Sequence, residues 1–333
     1  MKDGVRSNKA IAEAMAKIVA LIALALLLPF LVHGAYGLGI LDIALVYCIL
    51  VIGFNFSLGY TGLLSLGQVG FWALGAYSTA LLTSRYHESF VFSVLAGVVV
   101  ASLAAVVLAV LTMRLRSHYF ALATLGFGEI IQIVLLNWKS FTGGADGIGS
   151  IASLGIGGYS VTSPLGEYWA LTVVVAVLAV LAWLIETSRL GRQFRCIQSN
   201  RIGAESLGYD VRRIQLIAIV ISAIYGAISG SLYASIESYV SPDTFSLSVM
   251  VLILTMLIVG GRGYVIGAIV GAIALGIISQ RLDAITPYYN LIYGLLLLFL
   301  IAWMPDGVLG GIRSASRFLR SRRRGEHPEG AVL

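Results

Sequence analysis

The sequence is short of charge, of cysteine and of every common catalytic signature. Asp, Glu, Lys and Arg make up 11% of its 333 residues, where a soluble domain carries about a quarter. That is too little polar surface to coat a soluble fold. The two cysteines, Cys48 and Cys196, fall in an apolar stretch and a basic stretch. At such different depths they do not readily pair, and no C-x-x-C or other metal-ligand spacing occurs. No G-x-x-x-x-G-K-[ST] phosphate loop is present, so any ATP hydrolysis must come from another chain. G-x-S-x-G and H-E-x-x-H are missing as well. The four histidines, His33, His87, His118 and His327, are dispersed, whereas a membrane-embedded enzyme would gather such groups near one membrane face.

What the sequence has is apolar length. Hydrophobic residues make up 59%, in runs recurring from Ile18 to Met304, each near the roughly 20 residues needed to cross a bilayer core. Ten spans are predicted, at about 18–33, 38–58, 63–83, 90–113, 119–138, 167–186, 214–236, 246–261, 264–282 and 286–303. The first follows a basic leader (Lys2, Arg6, Lys9, Lys17) with no convincing A-x-A cleavage site, so it reads as an uncleaved helix. Ten crossings put both termini on one side. If that side is the cytoplasm, then of the 22 Lys and Arg only Arg85, Lys139 and Arg281 lie outside, a strong positive-inside bias. The net charge of +6 therefore orients the protein and does not mark a nucleic-acid surface. The expected fold is all-α and polytopic, one transmembrane domain over 1–333 with both termini inside.

Two connections are too polar for lipid and too long for tight turns. Ser140 to Gly166, outside, is rich in Gly and Ser and reads as a loop over the membrane domain, a flexible connector being the plain alternative. Thr187 to Arg213, inside, holds six Arg and a helix-compatible stretch from Asn200 to Leu207 closed by Gly208. The tail, 304–333, is basic, and contact with anionic lipid accounts for it.

Glycine, 38 residues, is the most informative type. Gly263, Gly267 and Gly271 repeat every fourth residue, as do Gly226 and Gly230, which predicts close helix packing. In "GYTGLLSLGQVGFWALGAY" a polar break lies between Gly59 and Gly62. Two readings fit: a helix restarting near Leu63, its N-terminal amides aimed into protein at membrane depth, or a plain loop before a glycine-packed helix. Within "ALATLGFGEIIQIVLLNW", Glu129 reads as the only acidic residue well inside an apolar run, serving either a polar pathway or a structural hydrogen bond. Asn55, Thr61, Gly62, Ser65, Gln68 and Thr124 join it as pathway candidates, although small polar residues also serve as helix glue.

Taken together, "GYTGLLSLGQVGFWALGAY", "ALATLGFGEII", "TGGADGI", "SRLGRQFRCIQSNRIGAESLGYDV", "YVSPDTFSLS", "VGGRGYVIGAIVGA" and "MPDGVLG" resemble the branched-chain amino-acid permease family of ABC importers, in particular its member with the longer N-terminus. The resemblance implies two inverted half-repeats, a homologous second permease, two cytoplasmic ATPase subunits, a periplasmic binding protein, and a bacterial inner-membrane location. It also implies that 187–213 is the ATPase-coupling element. Gly191 and Gly208 would flank a short helix with turns, Ala204 would allow close approach, and Glu205, Arg192 and Arg195 would meet the partner or lipid. Leucine, isoleucine and valine are the expected cargo. Permeases for urea or short amides are the alternative within the family. An ion-coupled secondary transporter, with Glu129 carrying the proton, is the alternative outside it.

Overall fold

The computed structural model describes residues 34–115, 117–156, 159–161, 163–283 and 294. The expected spans at 18–33 and 286–303 and the basic tail lie outside them. Helix α1 (Ala35–Phe54) runs on into a wide π-helical turn, Asn55–Tyr60. Residues 61–67 are non-helical. They lead to α2 (Gln68–Arg85), α3 (Phe90–Thr112) and α4 (Ser117–Asn137). Next come α5 (Pro164–Thr187), the short α6 (Arg189–Ser199) and α7 (Arg201–Ser206), then α8 (Val211–Glu237), α9 (Leu247–Gly260) and α10 (Val265–Asp283).

Local chemistry sets several of these boundaries. Ser89 caps α3, Ser163 with Pro164 behind it caps α5, and Asp210 caps α8, each side chain accepting a first-turn amide. The break, 61–67, is longer than the gap between the expected spans, and the helix restarts at Gln68 instead of near Leu63: the π turn carries α1 on to Tyr60, and Gly62 then takes a positive φ of 72°.

Helices α1 and α8 form the centre. Helix α8 packs on α2, α3 and α1, and α1 also contacts α10 and α5. In a bilayer, burying apolar surface does not itself drive helices together, so close packing and interhelical hydrogen bonds must hold them. Both are present. A Cβ on Gly75 would overlap the Ala227 backbone, and one on Gly230 would overlap the Trp72 carbonyl oxygen. The α9–α10 pair closes on Gly260, Gly267 and Gly271; of the predicted repeat Gly267 and Gly271 make this contact, while Gly263 lies in the turn before α10 at φ 82°. Ser229 Oγ donates to the Val46 carbonyl at 2.9 Å, and Tyr225 Oη to that of Leu178 at 2.8 Å.

The connections sort onto two ends. One end carries α6, α7, the α3–α4 turn and the α9–α10 turn, together with Arg114, Arg189, Arg192, Arg195, Arg201, Arg212, Arg213 and Arg262. We call it the basic end. The opposite end carries Arg85, Lys139 and two small ladders. Strand β1 (Ile148–Gly149) pairs antiparallel with β4 (Tyr239–Val240), and β2 (Gly155–Ile156) with β3 (Tyr159–Ser160). Arg85 Nη1 donates to the Ser140 carbonyl at 3.0 Å and Ser84 Oγ to that of Gly149 at 3.2 Å. The connection from Ser140 to Gly166 is thus tied to the helix ends and is not a plain flexible connector. Cys48 is buried in α1 and Cys196 lies in α6, both free.

Candidate functional site

The π turn is the first element of the site. Asn55 folds over Gly59, where a Cβ would overlap its amide, and its Oδ1 accepts the Gly263 N–H at 2.8 Å. Three further bonds fasten the same turn. Gln198 Nε2 of α6 donates to the Gly59 carbonyl at 2.6 Å, Tyr60 Oη donates to the Glu186 carboxylate at 2.9 Å, and Thr61 Oγ1 donates to the Ser57 carbonyl at 2.6 Å. Residues 55–60 are all buried. A π turn persists only where surroundings support it and is common at functional sites.

Beyond the break the chain climbs back into the bundle. The Leu66 amide donates to Thr124 Oγ1 of α4 at 2.9 Å. At the start of α2, Gln68 Oε1 accepts Ser222 Oγ at 2.7 Å and its Nε2 donates to the Ser222 carbonyl at 3.1 Å. Ser222 lies eleven residues into α8, about 16 Å along the axis. The N-terminus of α2 is therefore well inside the bundle, against Phe127 and Gly128 of α4.

The seven pathway candidates do not share one cavity. Thr61 and Gly62 line a cavity of about 220 Å3 at the basic end, with Leu63, Met113, Phe120, Gln198, Arg201 and Gln215 among its other walls. Asn55, Gln68 and Thr124 are buried and engaged in the bonds above, and Ser65 is buried beside them. Glu129 sits apart on α4, partly exposed, one turn from Gln132, whose Nε2 donates to the Pro242 carbonyl at 3.3 Å. Replacing Gln68 by leucine leaves the Ser222 hydroxyl without its acceptor. It is expected to lower stability by about 2 kcal/mol, read as a lower melting temperature in detergent, while uptake per folded molecule is retained.

Glu129 is not the only acidic residue deep in an apolar run. Asp42 in "GILDIALVYC" is 2% exposed, with Oδ1 unpaired. The signal was visible in the sequence, inside the expected span 38–58, and was overlooked.

In the 187–213 connection, Ser188 caps α6 through the Leu190 and Gly191 amides, Asn200 caps α7 through that of Gly203, and Gly208 turns the chain at φ 82°. The expected short helix is present as α7, and α6 precedes it unforeseen. Gly191 makes no turn: it lies within α6, packed on the Glu186 carbonyl. Ala204 is fully buried, so it does not face a partner. Glu205 pairs with Arg201 at 3.3 Å. Arg192 Nη1 donates to the Thr187 carbonyl at 3.2 Å, and Arg195 Nη2 to that of Glu186 at 3.1 Å. Beside the exposed Arg201 and Glu205, α7 and its turn present two large apolar side chains outward: Ile202 is 76% exposed and Leu207 72%.

Over residues 36–301 the chain matches the family described as branched-chain amino acid transport system / permease component. It is 33% identical to the high-affinity branched-chain amino acid transport system permease protein LivM of Escherichia coli K12, an alignment covering 93% of this chain and 78% of that one. It is 27% identical to LivH, a permease protein of the same description from Salmonella typhimurium, over 54% of this chain and 61% of that one. The ribose import permease RbsC of Haemophilus influenzae is 25% identical over 82% of this chain and 85% of its own length. No solved structure matches.

Proposed function

Because this chain belongs to the branched-chain amino acid permease family, we propose that it is a pathway-forming subunit of an ABC importer for leucine, isoleucine and valine in a bacterial inner membrane. Similarity to both LivM and LivH supports pairing with a second, homologous permease. The ATP-binding subunits dock at the basic end, which the positive-inside rule assigns to the cytoplasm, and a periplasmic binding protein delivers cargo to the other.

One observation carries the reading. Among the five long apolar helices described, α4 is both the most exposed and the least apolar: only 22% of its most apolar stretch is buried. A helix facing lipid pairs exposure with high hydropathy, as α3 does, being the most apolar of the five with 28% buried. Helix α4 instead presents Glu129 and Gly126 beside an open face. A carboxylate at membrane depth belongs against protein or water, so this face meets the partner permease and lines the route between the two. Thr61 and Gly62 stand at its inner mouth.

The test compares two bulky substitutions, scored as radiolabelled leucine uptake by cells carrying all subunits. No described residue lies within 4 Å of a Cβ on Gly126, so Gly126→Trp is expected to fold. It is expected to reduce uptake at least tenfold. Leu103→Trp on the exposed face of α3 is expected to leave uptake near that of the parent. Equal uptake in both would place α4 against lipid and remove the proposal.

A further inference from the structure

The cavity at the basic end is built like a receptor for a small zwitterion. It exists because α1 unwinds after Tyr60 instead of continuing, and because Gly62 contributes no side chain to the space beside Gln198. Its inner wall is Gln215 of α8, 4% exposed, whose amide makes no hydrogen bond among the described residues. An amide that faces a cavity inside the bundle without a protein partner has both its donor and its acceptor available to an occupant.

The other polar walls are placed for complementary roles. Arg201 is half-exposed at the rim; its Nε donates to Glu205, which leaves both Nη groups for a carboxylate. Gln198 spends Nε2 on the Gly59 carbonyl, so its Oε1 is available to accept, as is Thr61 Oγ1, whose proton goes to Ser57. The remaining lining is apolar: Leu63, Met113, Leu115, Phe120 and Ile197. Among the described residues, one guanidinium balanced by one carboxylate does not suit a polyanion such as a nucleotide, and the apolar wall does not suit a sugar. About 220 Å3 is the size of a small metabolite and below the usual range of drug-sized sites.

We propose that this cavity binds a free aliphatic amino acid from the basic end. The carboxylate lies on Arg201 and the Gln215 amide, the ammonium on the Gln198 and Thr61 oxygens, and the side chain against Leu63, Met113 and Phe120. The transport reading supplies the direction of approach, while the ligand class follows from the cavity alone. Occupancy would bridge the unwound end of α1, the α3–α4 turn and α6–α7. Amino acid accumulating on that side would thereby hold these elements together.

The test is isothermal titration of the purified full-length chain in detergent with L-leucine, isopentylamine, which lacks the carboxylate, and 4-methylpentanoate, which lacks the ammonium. Saturable leucine binding is expected, with each truncated analogue at least tenfold weaker. Arg201→Ala, at a half-exposed position that tolerates truncation, and the near-isosteric Gln215→Met are each expected to weaken leucine at least tenfold in protein that elutes as a single folded species. The absence of saturable binding to the folded parent, or unchanged binding in both variants, overturns the proposal. So does equal binding of leucine and either analogue. None of these outcomes depends on uptake, so a failure here leaves the Gly126 comparison standing, and the reverse holds equally.

Discussion

Replacing Gly230 by leucine is expected to leave no folded protein to purify. Gly230 lies where α8 crosses α2, so close that a Cβ would overlap the Trp72 carbonyl oxygen and come within 2.8 Å of the Ala76 amide nitrogen. Backbone, unlike a side chain, has no alternative rotamer to retreat into, so the two helices must separate. Separation would also draw Ser231 away from the Gly75 carbonyl, which its hydroxyl meets at 3.3 Å. Even alanine is expected to cost about 3 kcal/mol, the upper range for one added methyl group in a packed core, and leucine considerably more. The measurement is size-exclusion chromatography of a fluorescent fusion in detergent. Gly126→Ala is the control: with open space around it and a helix-favouring exchange of up to about 1 kcal/mol, it should match or exceed the parent. A monodisperse, parent-like Gly230→Leu would show that the α2–α8 contact is not as close as described.

The second large effect is expected at α7. Ile202→Asp combined with Leu207→Asp should abolish copurification of the ATP-binding subunits, and uptake with it, while leaving the isolated chain folded. Both side chains project from the basic end at more than 70% exposure, and nothing in the bundle depends on them. Full burial of each against a partner contributes about 1.5–3 kcal/mol. Losing both, with two carboxylates forced into the contact, should weaken binding at least a hundredfold. Ala204→Arg would be uninformative, since Ala204 is buried on the inner side of α7 and an arginine there would disturb the helix itself. If the ATP-binding subunits remain bound to the double variant, α7 is not the docking surface.

The contrast between Ala204 and Ile202 shows what a sequence conveys about a site and what it withholds. Apolar length made the spans readable: 90–113 was expected and Phe90–Thr112 is observed, 214–236 against Val211–Glu237. The four-residue glycine spacing marked the α9–α10 contact because that periodicity belongs to one helix face. In α7, six residues long, no such period can establish itself, so the side facing the bundle had to be seen. Polar residues posed the other difficulty. Gln68, Thr124 and Asn55 each announce a need for a hydrogen-bond partner, and their partners include backbone groups of Ser222, Leu66 and Gly263. A backbone amide or carbonyl is chemically the same at every position, so it leaves no trace in the residue letters. Gln198 was overlooked for the same reason, its acceptor being the Gly59 carbonyl.

The wide turn at Asn55–Tyr60 has a rotational consequence. Its hydrogen bonds reach five residues back instead of four, so it holds slack that an α-helix does not. A slip by one residue through such a turn rotates everything beyond it by about 100° and advances it by about 1.5 Å. Thr61, on the cavity wall, would be carried out of the cavity, and Tyr60 away from Glu186, by an axial movement smaller than a hydrogen bond is long. The Gln198 bond to Gly59 joins that turn to the helix just before the exposed α7, so a small pull applied outside the bilayer would be converted, at this one point, into a change of facing within it.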